Sequence, residues 1–418
     1  MTGAGAQPPA ALAGAAARHS LGWLVAANLV GAWLALVLLF PGAGDLIAPF
    51  SYGRLMPLHT DWHLYGWTSL PVVGVLLAWF AGPRAAGAEK PGRLALAVWT
   101  AALVLGGLSW LAGVTSGKLF LDWSGLARPL LPSAMLVLWA VLFRLAWAGW
   151  TDWNPRERLA RGALLAVLLP VPQLLYWAEG REVYPAVNPD SGGATGAALL
   201  GSTLGIVTIF LLLPRLLRLP ARSGPLGNKA VWAALAASWA VFAFIDHGHT
   251  SHHAVTQIAA LGLLLLWIPL LGAAWANFTW PGAAAPWRRA ALAWWALLVA
   301  SGWVSFLPGV SEALKFTHGL VGHAHLAMAG VVTAVNGMML TALAGRAAPR
   351  GVFARWQAGC ALYVAAMLAL GAFEAETAGD LFRSAGWTQA LLGLRLLGGL
   401  LMLDASGRWL VDFWRKHD

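Results

Sequence analysis

From Leu21 onward the chain returns repeatedly to stretches of about twenty residues with almost no charge, the length a helix needs to cross the hydrocarbon of a bilayer. One of them, Leu326–Ala344, has no ionisable residue at all. Inside lipid a chain must satisfy its own backbone polar groups, which leaves helices and closed barrels. Runs this long and this continuous are helical. They fall near 21–43, 59–83, 93–113, 128–150, 160–178, 193–219, 229–247, 252–276, 288–308, 317–345, 354–378 and 386–412. The expected fold is therefore an all-α membrane protein, a bundle of about twelve transmembrane helices.

Composition agrees. Of 418 residues, 59% are hydrophobic and 11% charged, where a soluble domain is about half apolar and a quarter charged. Residues 1–20, rich in Ala, Gly and Pro, read as a disordered cytoplasmic tail, and 21–418 as one transmembrane domain. The single cysteine, Cys360, excludes a disulfide framework, a cysteine-ligated iron–sulfur cluster and a structural zinc site of cysteines. No Cys-x-x-Cys-His occurs, so no haem is attached covalently. Tryptophan is abundant, with 26 residues, and many of these are expected in the interfacial belts at the membrane surfaces.

The net charge of +10 does not indicate nucleic acid, because its distribution follows the membrane. With the N-terminus cytoplasmic, the basic residues gather on that side, as in Arg156, Arg158 and Arg161 or Arg215, Arg218 and Arg222. The acids gather opposite, among them Glu179, Glu182, Asp190, Glu374 and Glu376. The positive-inside rule then places both termini in the cytoplasm.

Nine of the eleven histidines fall at the same, outer membrane level on this map. His59 and His63 open the second span. His247, His249, His252 and His253 lie where the seventh span closes and the eighth opens. His318, His323 and His325 open the tenth. Ionisable residues at membrane depth point to function, and imidazole is the commonest ligand for haem iron and many metals. His323 and His325, two apart on a helix, face roughly opposite sides, at about 100° per residue. One helix thus offers an imidazole to each of two flat cofactors. The cluster Asp246-His247-Gly248-His249-Thr250-Ser251-His252-His253 suits a metal. Arg54 and Lys315, cations on the acid-rich side, can pair with a carboxylate of a cofactor or of the protein.

The segments Tyr52-Gly53-Arg54-Leu55-Met56-Pro57-Leu58-His59-Thr60, Phe316-Thr317-His318-Gly319-Leu320-Val321-Gly322-His323-Ala324-His325 and Leu266-Trp267-Ile268-Pro269 resemble subunit I of the haem–copper oxidase superfamily, on the side of the cbb-type cytochrome oxidases and the nitric oxide reductases. The resemblance implies two haems, of type b. His59 and His325 would be the axial ligands of a low-spin haem, and His323 the proximal ligand of a high-spin haem, the catalytic one. Arg54 would be cofactor-binding. It further implies copper or non-haem iron facing the second haem, with His247, His252 and His253 as the ligands on offer. The implied setting is a bacterial cytoplasmic membrane, with lipid around the helices, a cytochrome c-type electron-donor subunit as partner, and O2 or NO as substrate.

The chain also departs from the family pattern. The sixth span opens Gly192-Gly193-Ala194-Thr195-Gly196 without a histidine, the seventh has no tyrosine, and the ninth has Ser301 about where the family carries a glutamate. A divergent member without the second metal, acting as a haem relay, gas sensor or assembly protein, is the alternative. A twelve-helix secondary transporter, with its site inside the bundle, is a third reading from another class.

Overall fold

The computed structural model describes residues 10–82, 85–222, 224, 226–349, 351–377 and 385–415. Among these, eleven helices are long and apolar enough to cross a membrane, and a shorter apolar helix, Asn228–Phe244, has 17 residues. In chain order the spans are Leu12–Leu39, Tyr52–Ala81, Gly87–Leu111, Gly125–Ala148, Pro155–Ala178, Gly196–Leu216, the short Asn228–Phe244, Val255–Ala276, Gly282–Phe306, His318–Ala344, Val352–Glu376 and Gly386–Arg415. They are numbered one to twelve below. No strand occurs among the described residues, so the all-α membrane fold stands.

The helices gather into two compact units. One contains Met1–Tyr184, Met339–Trp356 and Gly399–Asp418; the other contains Pro185–Met338 and Gln357–Gly398. They are called the first and second unit.

The stretch expected as a tail divides. Residues 1–9, with most of its Pro and Gly, lie outside the described residues, but from Ala10 the chain is already helical. Alanine has the highest helix propensity, and here it also packs. Ala15, Ala16 and Ala17 are buried, and a Cβ on Gly74 would come within 2.8 Å of the Ala16 methyl.

Local breaks follow their causes. The fifth span starts on Asn154, whose side-chain oxygen accepts the Glu157 amide at 3.0 Å with Pro155 in the first turn. It is interrupted between Leu168 and Val171, where Pro170 lacks an amide hydrogen. In the eighth span Leu263–Leu266 tightens to a 3-10 turn just before Pro269, whose ring would clash with the carbonyl four residues back in a regular helix. The seventh helix stops at Phe244 and the eighth starts at Val255, so the histidines from His247 to His253 sit on a connecting loop and not at helix ends.

Nine of the tryptophans pack inside the protein. Trp67, Trp110, Trp123, Trp267, Trp275, Trp287, Trp295, Trp356 and Trp409 are fully buried. Lipid tails are as apolar as a leucine, so helices associate by close packing and not by exclusion of apolar surface. Large rings set against glycines serve that end. A Cβ on Gly337 would lie 2.5 Å from the Trp287 ring, and one on Gly106 would lie 2.6 Å from Trp123. The indole N–H groups then find carbonyls: Trp99 donates to Tyr65, Trp275 to Phe210 and Trp295 to Trp267, each at 2.9 Å.

Candidate functional site

In the first unit His59 lies on the helical segment Tyr52–Asp61 of span two. Its Nδ1 is 3.0 Å from the Ala27 carbonyl on span one. A carbonyl only accepts, so Nδ1 carries the proton and Nε2 is the basic nitrogen. Ligating histidines are held in this tautomer. The ring rests on Gly31, where a Cβ would come within 2.5 Å of Cε1 and 2.8 Å of Nδ1. His63 stands edge-on to it, with centroids 4.8 Å apart at 83°.

In the second unit His323 and His325 lie on His318–His325, which opens span ten. The chain enters through Phe316, a non-glycine residue at φ 68°, and Thr317 caps the helix by accepting the Gly319 amide at 3.1 Å. His325 Nδ1 is 2.8 Å from the Val321 carbonyl one turn back, again leaving Nε2 basic. Its ring stacks on Tyr363 at 4.1 Å and 25°, and the Arg395 guanidinium lies 5.4 Å from that tyrosine's centroid. His323 Nδ1 is 3.2 Å from Ser301 Oγ, and Ser301 donates its own proton to the Leu298 carbonyl at 3.3 Å. The serine thus accepts from His323, whose Nε2 becomes the basic nitrogen too. Gly302 underlies this ring, where a Cβ would stand 3.2 Å from Cε1.

Spans two and ten share a further feature. At or just after its histidines each relaxes into a π-helix, Trp62–Thr68, which includes His63, in one and Leu326–Val332 in the other. Such turns are uncommon and concentrate at functional sites.

Arg54 Nη1 donates to the Leu111 carbonyl at 2.9 Å, at the open C-terminal end of span three. Lys315 reaches the Ser191 carbonyl. Both cations therefore have partners within the protein. His318 binds Glu374 through its backbone amide at 2.8 Å and through Nδ1 at 2.9 Å.

The loop histidines of the second unit form a different kind of centre. His252 is fully buried; its Nδ1 lies 2.6 Å from Asn188 Nδ2 and its Nε2 lies 2.8 Å from Glu312 Oε1. The amide NH2 can only donate, so Nδ1 accepts and Nε2–H donates to the carboxylate. His253 Nε2 reaches the same oxygen at 3.1 Å. Asp190, His252 and His253 can each offer an atom within 4.8 Å of the others. His247 is not in that group; its ring faces Phe242 at 4.7 Å. His249 Nδ1 accepts the Val187 amide at 3.1 Å. Glu312, which no motif singles out, has its carboxyl pKa held down to about 2, chiefly by its own backbone amide, with His252 and the Gly309 amide adding.

The two groups differ as cofactor seats. Three imidazoles at His59, His323 and His325 present Nε2 as the basic nitrogen and are braced at Nδ1, which fits axial ligation of haem iron. The His252 ring does not fit a metal in the same way. Both of its nitrogens are engaged, and ligation through Nε2 would displace the proton it donates to Glu312. The expected copper or non-haem iron therefore has no prepared set of three imidazoles in His247, His252 and His253.

No protein-family model and no curated sequence matches the chain. Among solved structures, a heme–copper terminal oxidase dimer determined by cryo-EM is similar in fold, with a TM-score of 0.56 and 13% identity over 96% of this chain and 83% of that one. At that identity the likeness speaks for the architecture.

Proposed function

We propose that this protein is a haem-containing oxidoreductase subunit of the membrane, passing electrons from a low-spin to a high-spin haem. In this reading His59 and His325 would hold the low-spin haem and His323 the high-spin one, both of type b. The supporting observation is that all three imidazoles have Nδ1 bonded to an oxygen acceptor, which makes Nε2 the ligating nitrogen. The shared fold with a heme–copper terminal oxidase supports the same reading. The haems would supply redox chemistry; the chain's own residues fix ring orientation. Ala27 and Val321 anchor two of the rings through backbone carbonyls, Tyr363 holds the plane of His325, and Ser301 holds that of His323. A small gas, O2 or NO, is the substrate class that a haem with a single protein ligand accepts. Electrons would come from a cytochrome c-type partner, and the chain would sit in a bacterial cytoplasmic membrane with both termini inside.

A second reading, a haem relay or gas sensor without a second metal, is favoured by the hydrogen-bonded state of His252. The experiment that tests the proposal is spectroscopic. The purified protein shows bis-histidine low-spin haem, His59→Ala or His325→Ala removes that signal, and carbon monoxide binds the haem held by His323. Metal analysis separates the two readings: copper or iron beyond the haem iron supports the oxidase, and haem iron alone supports the relay. A colourless protein after haem-supplemented expression contradicts both.

A further inference from the structure

A second polar cluster in the first unit contains none of the three imidazoles. It is built from span two, the connection after span three and the residue that follows span five. Asp61 is fully buried and its Oδ2 accepts the Thr60 hydroxyl at 3.3 Å, while Oδ1 has no hydrogen-bond partner. The Asp122 amide and the Trp123 indole face this carboxylate. Trp123 is fully buried and Ser124 is 6% exposed, and both the indole Nε1 and the serine hydroxyl lack a partner. Glu179 is 1% exposed, with neither carboxylate oxygen hydrogen-bonded. Buried polar atoms in folded proteins are almost always paired. The Asp61 carboxylate and the Trp123 N–H face each other without closing a bond of normal geometry, and with the Ser124 hydroxyl and both Glu179 oxygens they leave buried polar atoms on four residues open to a further partner.

The charges around Glu179 indicate what that is. Lys118, Arg128, Asp61 and Tyr65 are the charged and titratable groups that act on it, with Asp122 acting on Asp61, and the exposed Glu182 follows it in the chain. Lys118 donates to the carbonyls of Ala178, Gly180 and Val183, so its ammonium closes the turn and does not reach the Glu179 carboxylate. Arg128 donates to the Tyr176 carbonyl through Nε at 3.0 Å and Nη2 at 2.6 Å. Tyr65 gives its hydroxyl proton to the Phe120 carbonyl at 2.7 Å. Both cations nearby are thus committed to backbone oxygens. An ionised carboxylate buried without a hydrogen bond is too costly, and the group takes up a proton instead. Two acids, a hydroxyl and an indole N–H then suit a small number of bridging waters.

We infer that Glu179 is the protonated member of a buried, hydrated proton-binding site completed by Asp61, Trp123 and Ser124. Burial, the largest influence, pushes the Glu179 carboxyl up to about 8, with Asp61 adding to the rise and Arg128 and Lys118 opposing it. The site is independent of the haem assignment, since no ligand to iron is needed to form it.

Infrared difference spectroscopy on the full chain in detergent tests this. At neutral pH the wild type shows a carboxylic acid C=O band that shifts in D2O and fades with a midpoint about pH 8. Glu179→Gln abolishes the band, and Glu182→Gln leaves it in place. Absence of a protonated-acid band in the wild type at pH 7 overturns the inference without any variant. So does a band that appears only after a chelator is added, because a metal cation would then be the occupant. A band unchanged in Glu179→Gln also overturns it.

Discussion

Gly31→Ala is a one-carbon test of His59. The added Cβ would lie 2.5 Å from His59 Cε1 and 2.8 Å from Nδ1, whereas carbon atoms in ordinary contact stand about 3.5 Å apart or more. One of the two must retreat by about 1 Å. The ring is the lighter object, but it is tied to the Ala27 carbonyl at 3.0 Å on the same helix as Gly31. Metal–ligand distances tolerate roughly 0.2 Å, so a displacement several times larger breaks an axial bond. Overpacking of this kind costs about 1–3 kcal/mol, which the fold survives more readily than the ligand geometry does. Gly22→Ala on the same helix is the control, since nothing lies within 4 Å of its Cβ position. Gly302→Ala gives a graded comparison: contacts of 3.2 and 3.5 Å to His323 need a shift of only a few tenths of an ångström. The assay is the reduced-minus-oxidised visible spectrum with electron paramagnetic resonance of the oxidised protein. Gly31→Ala should lose most of the low-spin haem signal at near-normal protein yield, Gly302→Ala should perturb only the high-spin haem, and Gly22→Ala should match wild type. A wild-type low-spin spectrum in Gly31→Ala would refute the role given to His59.

Three further outcomes are expected. Because the Glu179 carboxyl is raised to about 8 in the folded protein from an ordinary 4.5, the folded state binds the proton that the unfolded state has released between those values; thermal stability falls as pH rises through that window, and Glu179→Gln flattens the fall. Gly337→Val drives a side chain into Trp287, whose ring lies 2.5 Å from the Cβ position, and should lower the melting temperature by an amount equivalent to about 1–3 kcal/mol, with Gly205→Val as the unhindered control. Arg161 is fully buried, its guanidinium 3.7 Å from the Trp153 ring and 4.3 Å from Trp79, so Arg161→Lys loses planar stacking and should destabilise by about 1–2 kcal/mol in a denaturant or thermal scan, despite keeping the charge.

Apolar length alone made the membrane helices legible in the sequence, because the bilayer sets that length and no tertiary context competes with it. The opposed faces of His323 and His325 followed from helical period. What the chain did not disclose came from contacts between segments. Ala27, Val321 and Ser301 brace the three imidazoles, two of them through backbone groups that leave no trace in residue type. Ser301 stands where the resembled family carries a glutamate, and its residue type alone does not show that it holds His323. The π-turns Trp62–Thr68 and Leu326–Val332 have no composition signal, since residues of these types also form ordinary helix. Glu312 reaches His252 across about sixty residues, and Asp61 on span two and Glu179 just past the end of span five come from segments far apart in the chain. The Ala-rich start was misleading because Ala, Gly and Pro together suggest a loose tail, while alanines from Ala10 on are ideal for a closely packed helix.

The most direct test of the account is the haem content of the purified protein measured together with its low-spin signal. Two haems per polypeptide, one of them bis-histidine low-spin and the other open to carbon monoxide, is the result expected from His59, His325 and His323. Haem-free protein, or haem whose spectrum is unaltered when His59 and His325 are both replaced by alanine, would contradict it.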